Sequence, residues 1–124
     1  IERARARAFA LAIACEIHPV QNLRVLERLR RDAGFDDVAV TAWAAATNAE
    51  GLAHCEALVA GRPGRFLFGD RPTVAEICLV PQLGNARRFG VDVTAFPRLL
   101  AAEAAAMELP AFAEAVPAKQ PDAE

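Results

Sequence analysis

Tyrosine is absent from this chain, and tryptophan, lysine and methionine occur once each, as Trp43, Lys119 and Met107. β-branched residues are sparse outside short runs, so the chain has little of what strands are built from. With one lysine, the cations are nearly all arginine; Lys and Arg number 14 against 16 Asp and Glu, for a net charge of -2. At a pI of about 5.7 no global field draws the chain to nucleic acid or to an anionic membrane. Cysteine is scarce, odd in number and widely spaced, at Cys15, Cys55 and Cys78, with no C-x-x-C. That argues against a disulfide framework and a metal site such as zinc. Each cysteine lies in an apolar helical pattern and reads as a buried structural thiol, in a reducing cytoplasm. No apolar run reaches the ~18 residues of a membrane helix, and no signal-peptide pattern is visible. An initial methionine is lacking too: the chain starts at Ile1, inside a helical pattern, and reads as a piece of a longer protein.

What is present is alanine, the best helix former, within a 54% hydrophobic composition. The 124 residues suit one domain able to bury its own core. Phe9, Ile13 and Ile17 recur every four residues and predict a helix over 1–17. Pro19 interrupts it. Val20, Leu23, Leu26 and Leu29 mark a second helical piece to about Arg31, stopped by Gly34. A third helix is expected from about Asp36 to Ala60, with Trp43, Leu52, Cys55 and Val59 on its inner face. Gly51 weakens it unless a neighbouring backbone must come close. Gly61 to Gly64 form a turn, and Phe66, Leu67 and Phe68 read as a short extended anchor. Thr73 and Glu76 form a capping box ahead of a helix over 73–89. That helix is apolar on nearly every side until its last turn, which predicts burial at the centre, with Pro81 kinking it. Further helices are expected over about 97–107 and 110–116, then a loose polar tail, PAKQPDAE. The fold class is all-α, a bundle of five to six helices around the central one.

Read from the residues alone, few side chains suggest a site. His18 and Asn22 are one helical turn apart and could share a face, or be a surface histidine and a helix-end asparagine. Arg87 and Arg88 end the apolar helix, either complementing its dipole or reaching into a pocket. Cys78, Pro81, Asn85 and Arg88 share a face. Arg24 lies about 200° from Asn22 on a continuous helix, so a solvated arginine is as good a reading as a pocket residue. Arg3, Arg5 and Arg7 read as a solvated or dimer-facing run.

Three segments together carry a resemblance: ACEIHPVQNLRVL (14–26), FLFGDRPTVAEICLVPQLGNARRFGVDVTAFPRL (66–99) and LPAFAEAVPAKQPDAE (109–124). They are similar to zeta-class glutathione transferases, the family of maleylacetoacetate and maleylpyruvate isomerases, in its I-x-P-x-x-N-L, C-L-V-P-Q, N-A-x-R-F and Q-P-D motifs. The likeness runs from about Ala8 to Asp122, weaker over 32–60, and covers that family's all-helical C-terminal domain as one unit, 1–124. Nothing matches the family's serine-serine-cysteine motif, which belongs to an N-terminal thioredoxin-like domain absent from this chain. No catalytic residue is therefore assigned here.

The resemblance implies a substrate-binding domain of a glutathione-dependent cis–trans isomerase of maleylpyruvate or maleylacetoacetate, inactive without its N-terminal domain. It implies that His18 contacts glutathione, the cofactor. Asn22 would orient substrate or thiol, and Arg88 and Arg24 would bind the dicarboxylate keto acid. It also implies a cytoplasmic homodimer with no nucleic-acid or membrane partner. Two other classes remain open at this point, a non-catalytic helical interaction module and a general glutathione-conjugating transferase.

Overall fold

Residues placed every four along a regular α-helix drift by about 40° per step, so a strict four-residue stripe cannot stay on one face. The computed structural model, which describes residues 1–123, meets this by changing the winding. Helix α1 (Glu2–Leu11) opens into a π turn over Ala12–Ile17 and then tightens into a 3-10 turn over His18–Gln21. The wider turn offsets the drift. Phe9, Ile13 and Ile17 are all buried, and Gln21, four residues on, continues their stripe. The expected single helix over 1–17 is thus two windings, and Pro19 sits in the first turn of a third. Cys15 falls on the outer side of the π turn and is exposed, contrary to its reading as a buried thiol.

Helix α2 (Leu23–Ala33) starts after Asn22 and stops at Gly34, whose φ of 70° is the left-handed conformation glycine tolerates. In α3 (Asp37–Val59) the Asp36 carboxylate accepts from the Ala39 amide at 2.8 Å, an N-cap. Its buried stripe is Asn48, Leu52, Cys55 and Val59, spaced i, i+4, i+7, i+11. Trp43 is not in the core as expected. It is 38% exposed, its indole N–H donates to the Val20 carbonyl at 3.1 Å, and its ring packs edge-on against Phe35. An indole needs a partner for its N–H, and the turn before α2 supplies one at the rim. Gly51 is required by a side chain, not by a backbone: a Cβ there would meet Cδ1 of Ile17 at 2.6 Å.

Phe66 to Gly69 form a tight turn closed by a bridge between its ends, not an extended segment. Leu67 is fully buried. Helix α4 (Val74–Arg88) then begins with the capping box. The Thr73 hydroxyl accepts from the Ala75 amide at 3.1 Å, and buried Glu76 accepts from the Thr73 amide at 2.7 Å. Glu76 also accepts from the Leu67 amide at 2.7 Å, tying the turn to the helix. Helix α5 (Pro97–Met107) starts where expected, and the Glu56 carboxylate of α3 accepts from its Arg98 and Leu99 amides. Helix α6 (Pro110–Ala113) is shorter than expected. The tail is not loose: Gln120 donates to the carbonyls of Glu114 and Val116, folding the segment back. Glu124, the last residue of that tail, lies outside the described residues.

Four contacts set the directions. Arg62, just past α3, pairs with Glu2, Gly51 faces Ile17, and Trp43 reaches Val20, so α3 runs antiparallel to α1 and its π turn. The starts of α1 and α4 flank one another around Arg3, Ala6, Thr73 and Val74, so those two run parallel. The last turn of α4 and the His18–Arg24 segment therefore share one end of the bundle.

Candidate functional site

At that end, Phe89 packs into a small cluster of Leu26, Val40 and Ala44, fastening the end of α4 to α2 and α3. The two arginines before it diverge. Arg87 forms a two-pronged pair with Glu103 of α5, at 2.7 and 2.6 Å, which raises the guanidinium pKa and balances its charge. Arg88 is exposed, its guanidinium carbon 5.9 Å from the centroid of the Phe89 ring, and pairs with no carboxylate among the described residues. The N-A-x-R-F resemblance selects Arg88 over Arg87, and the pairing of Arg87 with Glu103 on α5 gives a physical reason for that choice.

Arg88 stands at the head of a cleft of about 960 Å³ between α4, α5 and α6, with Ile77, Pro81, Asn85, Met107 and Phe112 among its walls. The expectation of a buried central helix is corrected here. Helix α4 is central and buries Leu79, Leu83 and Ala86 on one side, but Ile77 is 62% exposed and Val74, Pro81 and Gly84 are also exposed. A helix apolar all round tells that both sides want cover, not that this chain supplies it. Pro81 cannot donate to the Ile77 carbonyl. The helix nevertheless runs through it unbroken, because the proline lies on this open face.

Behind Asn85, the one member that lines the cleft, lies a buried polar seam that the sequence reading missed. Asn48, with no exposed surface, donates through its side-chain amide to the Ala44 carbonyl at 2.8 Å and to Oδ1 of Asn85 at 3.2 Å. Gln82, nearly as buried, donates to Oδ1 of Asn48 at 2.6 Å. The available signal was an amide placed on the buried stripe of α3, four residues before Leu52, where an unpartnered polar group would be costly. Gln21 is a second such residue, 2% exposed, with neither amide atom partnered among the described residues.

The other candidates are not in the walls of this cleft. His18 is exposed in the 3-10 turn, and Asn22 does not follow it on one α-helical face. Asn22 has ψ 162°, and its Oδ1 accepts from the Val25 amide at 3.2 Å, so it is the N-cap of α2. The 200° separation of Arg24 from Asn22 therefore does not apply, because no continuous helix joins them. Arg24 is exposed in the first turn of α2, where a cation opposes the helix dipole by about 0.3–1 kcal/mol. A histidine, a capping amide and an arginine at a helix N-terminus favour an anion. The bundle end thus offers two cationic positions: Arg88 over an apolar cleft, and Arg24 near His18 and Asn22.

Comparison with known proteins agrees with this architecture. Residues 20–104 match the family model described as "Glutathione S-transferase, C-terminal domain". The chain is 48% identical over 122 residues to a maleylpyruvate isomerase of Ralstonia sp, covering 97% of this chain and 58% of that protein. Among solved structures it is similar to a holo maleylpyruvate isomerase described as a bacterial zeta-class glutathione S-transferase. The TM-score is 0.93 at 47% identity, over 98% of this chain and 58% of the other. It is also similar to a maleylacetoacetate isomerase from Anaeromyxobacter dehalogenans 2CP-1 solved with dicarboxyethyl glutathione and citrate in its active site. That TM-score is 0.90 at 42% identity, over 98% of this chain and 54% of the other. The chain spans little more than half the length of these relatives. The resemblance read from its three segments is borne out, and the chain belongs to the glutathione S-transferase C-terminal domain family.

Proposed function

We propose that this chain is the substrate-binding half of a glutathione-dependent cis–trans isomerase acting on a maleyl keto acid, maleylpyruvate or maleylacetoacetate. The observation that carries the reading is Arg88, an unpaired guanidinium at the head of an apolar cleft. A planar guanidinium holds a carboxylate through two parallel hydrogen bonds, and an apolar wall suits a conjugated carbon skeleton. The exposed His18, the Asn22 amide and Arg24 fit glutathione, whose own carboxylates suit the N-terminus of α2. When bound, glutathione supplies a thiolate whose reversible addition to the cis double bond lets that bond rotate. This chain's part is to hold the substrate's charges: Arg88 at one carboxylate, Arg24 at the rim, and Asn22 orienting substrate or thiol, so that the developing enolate is met by cations.

Thiol activation belongs to an N-terminal thioredoxin-like domain, which we place against the open face of α4. The full protein is read as a cytoplasmic homodimer. The test replaces Arg88 by alanine in the complete protein. Turnover of maleylpyruvate falls about tenfold or more while the KM for glutathione changes less than about twofold. Unchanged steady-state kinetics sink the reading.

A further inference from the structure

The polar seam that ends at Asn85 in the cleft wall has a direction. A backbone carbonyl can only accept, so the contact from Asn48 to the Ala44 carbonyl fixes which end of the Asn48 amide is nitrogen. Its oxygen must then face Gln82, which donates to it at 2.6 Å. Its nitrogen, shared between Ala44 and Asn85, leaves Asn85 no choice but to turn its oxygen inward, at 3.2 Å. The free end of Asn85 is therefore its NH2 group, and nothing accepts from it among the described residues. Asn85 is half-buried, lines the cleft, and precedes Arg88 by three residues, so the two share a helix face.

We infer that Asn85 is a second substrate-binding residue, donating its amide N–H to the carboxylate group that Arg88 holds, with Asn48 as the positioning residue that keeps this donor facing the cleft. The inference rests on the reading of the cleft as a dicarboxylate site. A neutral donor is what the place allows. Arg87 is committed to Glu103 on the neighbouring helix, so Arg88 is the remaining cation, and a directional N–H fixes the carboxylate plane that one charge leaves free to turn. An amide turned the other way would present its oxygen to the anion and forfeit the bond from Asn48.

The test uses the complete protein with Asn85→Ala, Asn85→Asp and Arg88→Ala side by side, and maleate as a competitive dicarboxylate probe. Asn85→Ala raises the KM for maleylpyruvate and the Ki for maleate together by about fivefold, the loss of one charge-assisted hydrogen bond. Asn85→Asp keeps the shape but presents a carboxylate, and raises both by about fiftyfold or more. The KM for glutathione stays within about twofold in both, a split that a general loss of packing would not produce. If both Asn85 variants leave maleate Ki unchanged while Arg88→Ala raises it, the role of Asn85 is overturned and the cleft reading stands. If glutathione and maleate weaken together, Asn85 is structural. If Arg88→Ala also leaves maleate binding intact, the cleft reading itself fails.

Discussion

Single residues differ here mainly in what lies on the far side of them. Cys55 has no exposed surface, and burial pushes its thiol from 9.0 up to about 11. Cys78 is half-buried and shifted in the same direction by the same cause. Cys15 is exposed on the π turn. The thiolate is the reactive form, so iodoacetamide at pH 8 should modify Cys15 first, Cys78 more slowly and Cys55 only after unfolding, as read by mass spectrometry of peptides. The pH sign follows: the folded state holds the Cys55 proton more tightly than the unfolded chain. Its contribution to stability is intact below 9.0 and is lost as pH rises towards about 11. Rapid labelling of Cys55 in the native protein at pH 8 would contradict the burial. The sequence did not distinguish these thiols, because all three sit in apolar helical patterns. The π turn, which rotates Cys15 outward, was hinted at only by the strict four-residue stripe of Phe9, Ile13 and Ile17, which reads as an ordinary helix.

Whole elements were more legible than their faces. Helix α5 came out at its expected bounds, and α4 within a residue, because a proline start and a capping box are local chemistry. Arg88 was legible as a pocket candidate through the N-A-x-R-F motif, but the partner that holds Arg87 aside, Glu103, is distant in sequence and was not legible. The seam of Asn48, Gln82 and Asn85 was illegible for the same reason: its partners lie on two helices. Glu76 shows how much one local motif can carry. It accepts from Leu67, from the Thr73 amide and from the Thr73 hydroxyl, so it closes both the turn before α4 and the helix start. Glu76→Ala leaves two backbone amides without acceptors and should destabilise the chain by about 3 kcal/mol or more. Glu76→Gln, which keeps one acceptor, should cost less. Urea unfolding followed by far-UV circular dichroism orders the three proteins, and equal midpoints would show that the box contributes nothing.

At the scale of the molecule, the open side of α4 is the feature that a 124-residue chain does not explain by itself. Core residues such as Leu79 and Leu83 face inward with no exposed surface, while Ile77, two positions from Leu79, is 62% exposed beside a cleft of about 960 Å³. An apolar surface of this kind on a helix start-to-end is a docking face. Relatives of which this chain spans 58% and 54% have further chain available to cover it. The isolated chain and the complete protein should therefore respond to one substitution by different amounts. In the isolated chain, Ile77→Ser touches solvent and should change stability by less than about 0.5 kcal/mol. In the complete protein the same change removes apolar burial at the domain contact and should cost about 1–2 kcal/mol, lowering the melting temperature by a few degrees. On the proposed function, the isolated chain should also show no isomerase turnover with glutathione, because thiol activation is assigned there to the N-terminal domain. Thermal melts of the two pairs decide the point. Equal, small effects in both would mean that α4 keeps its open face in the complete protein, and that the cleft beside Arg88 is walled by this chain alone.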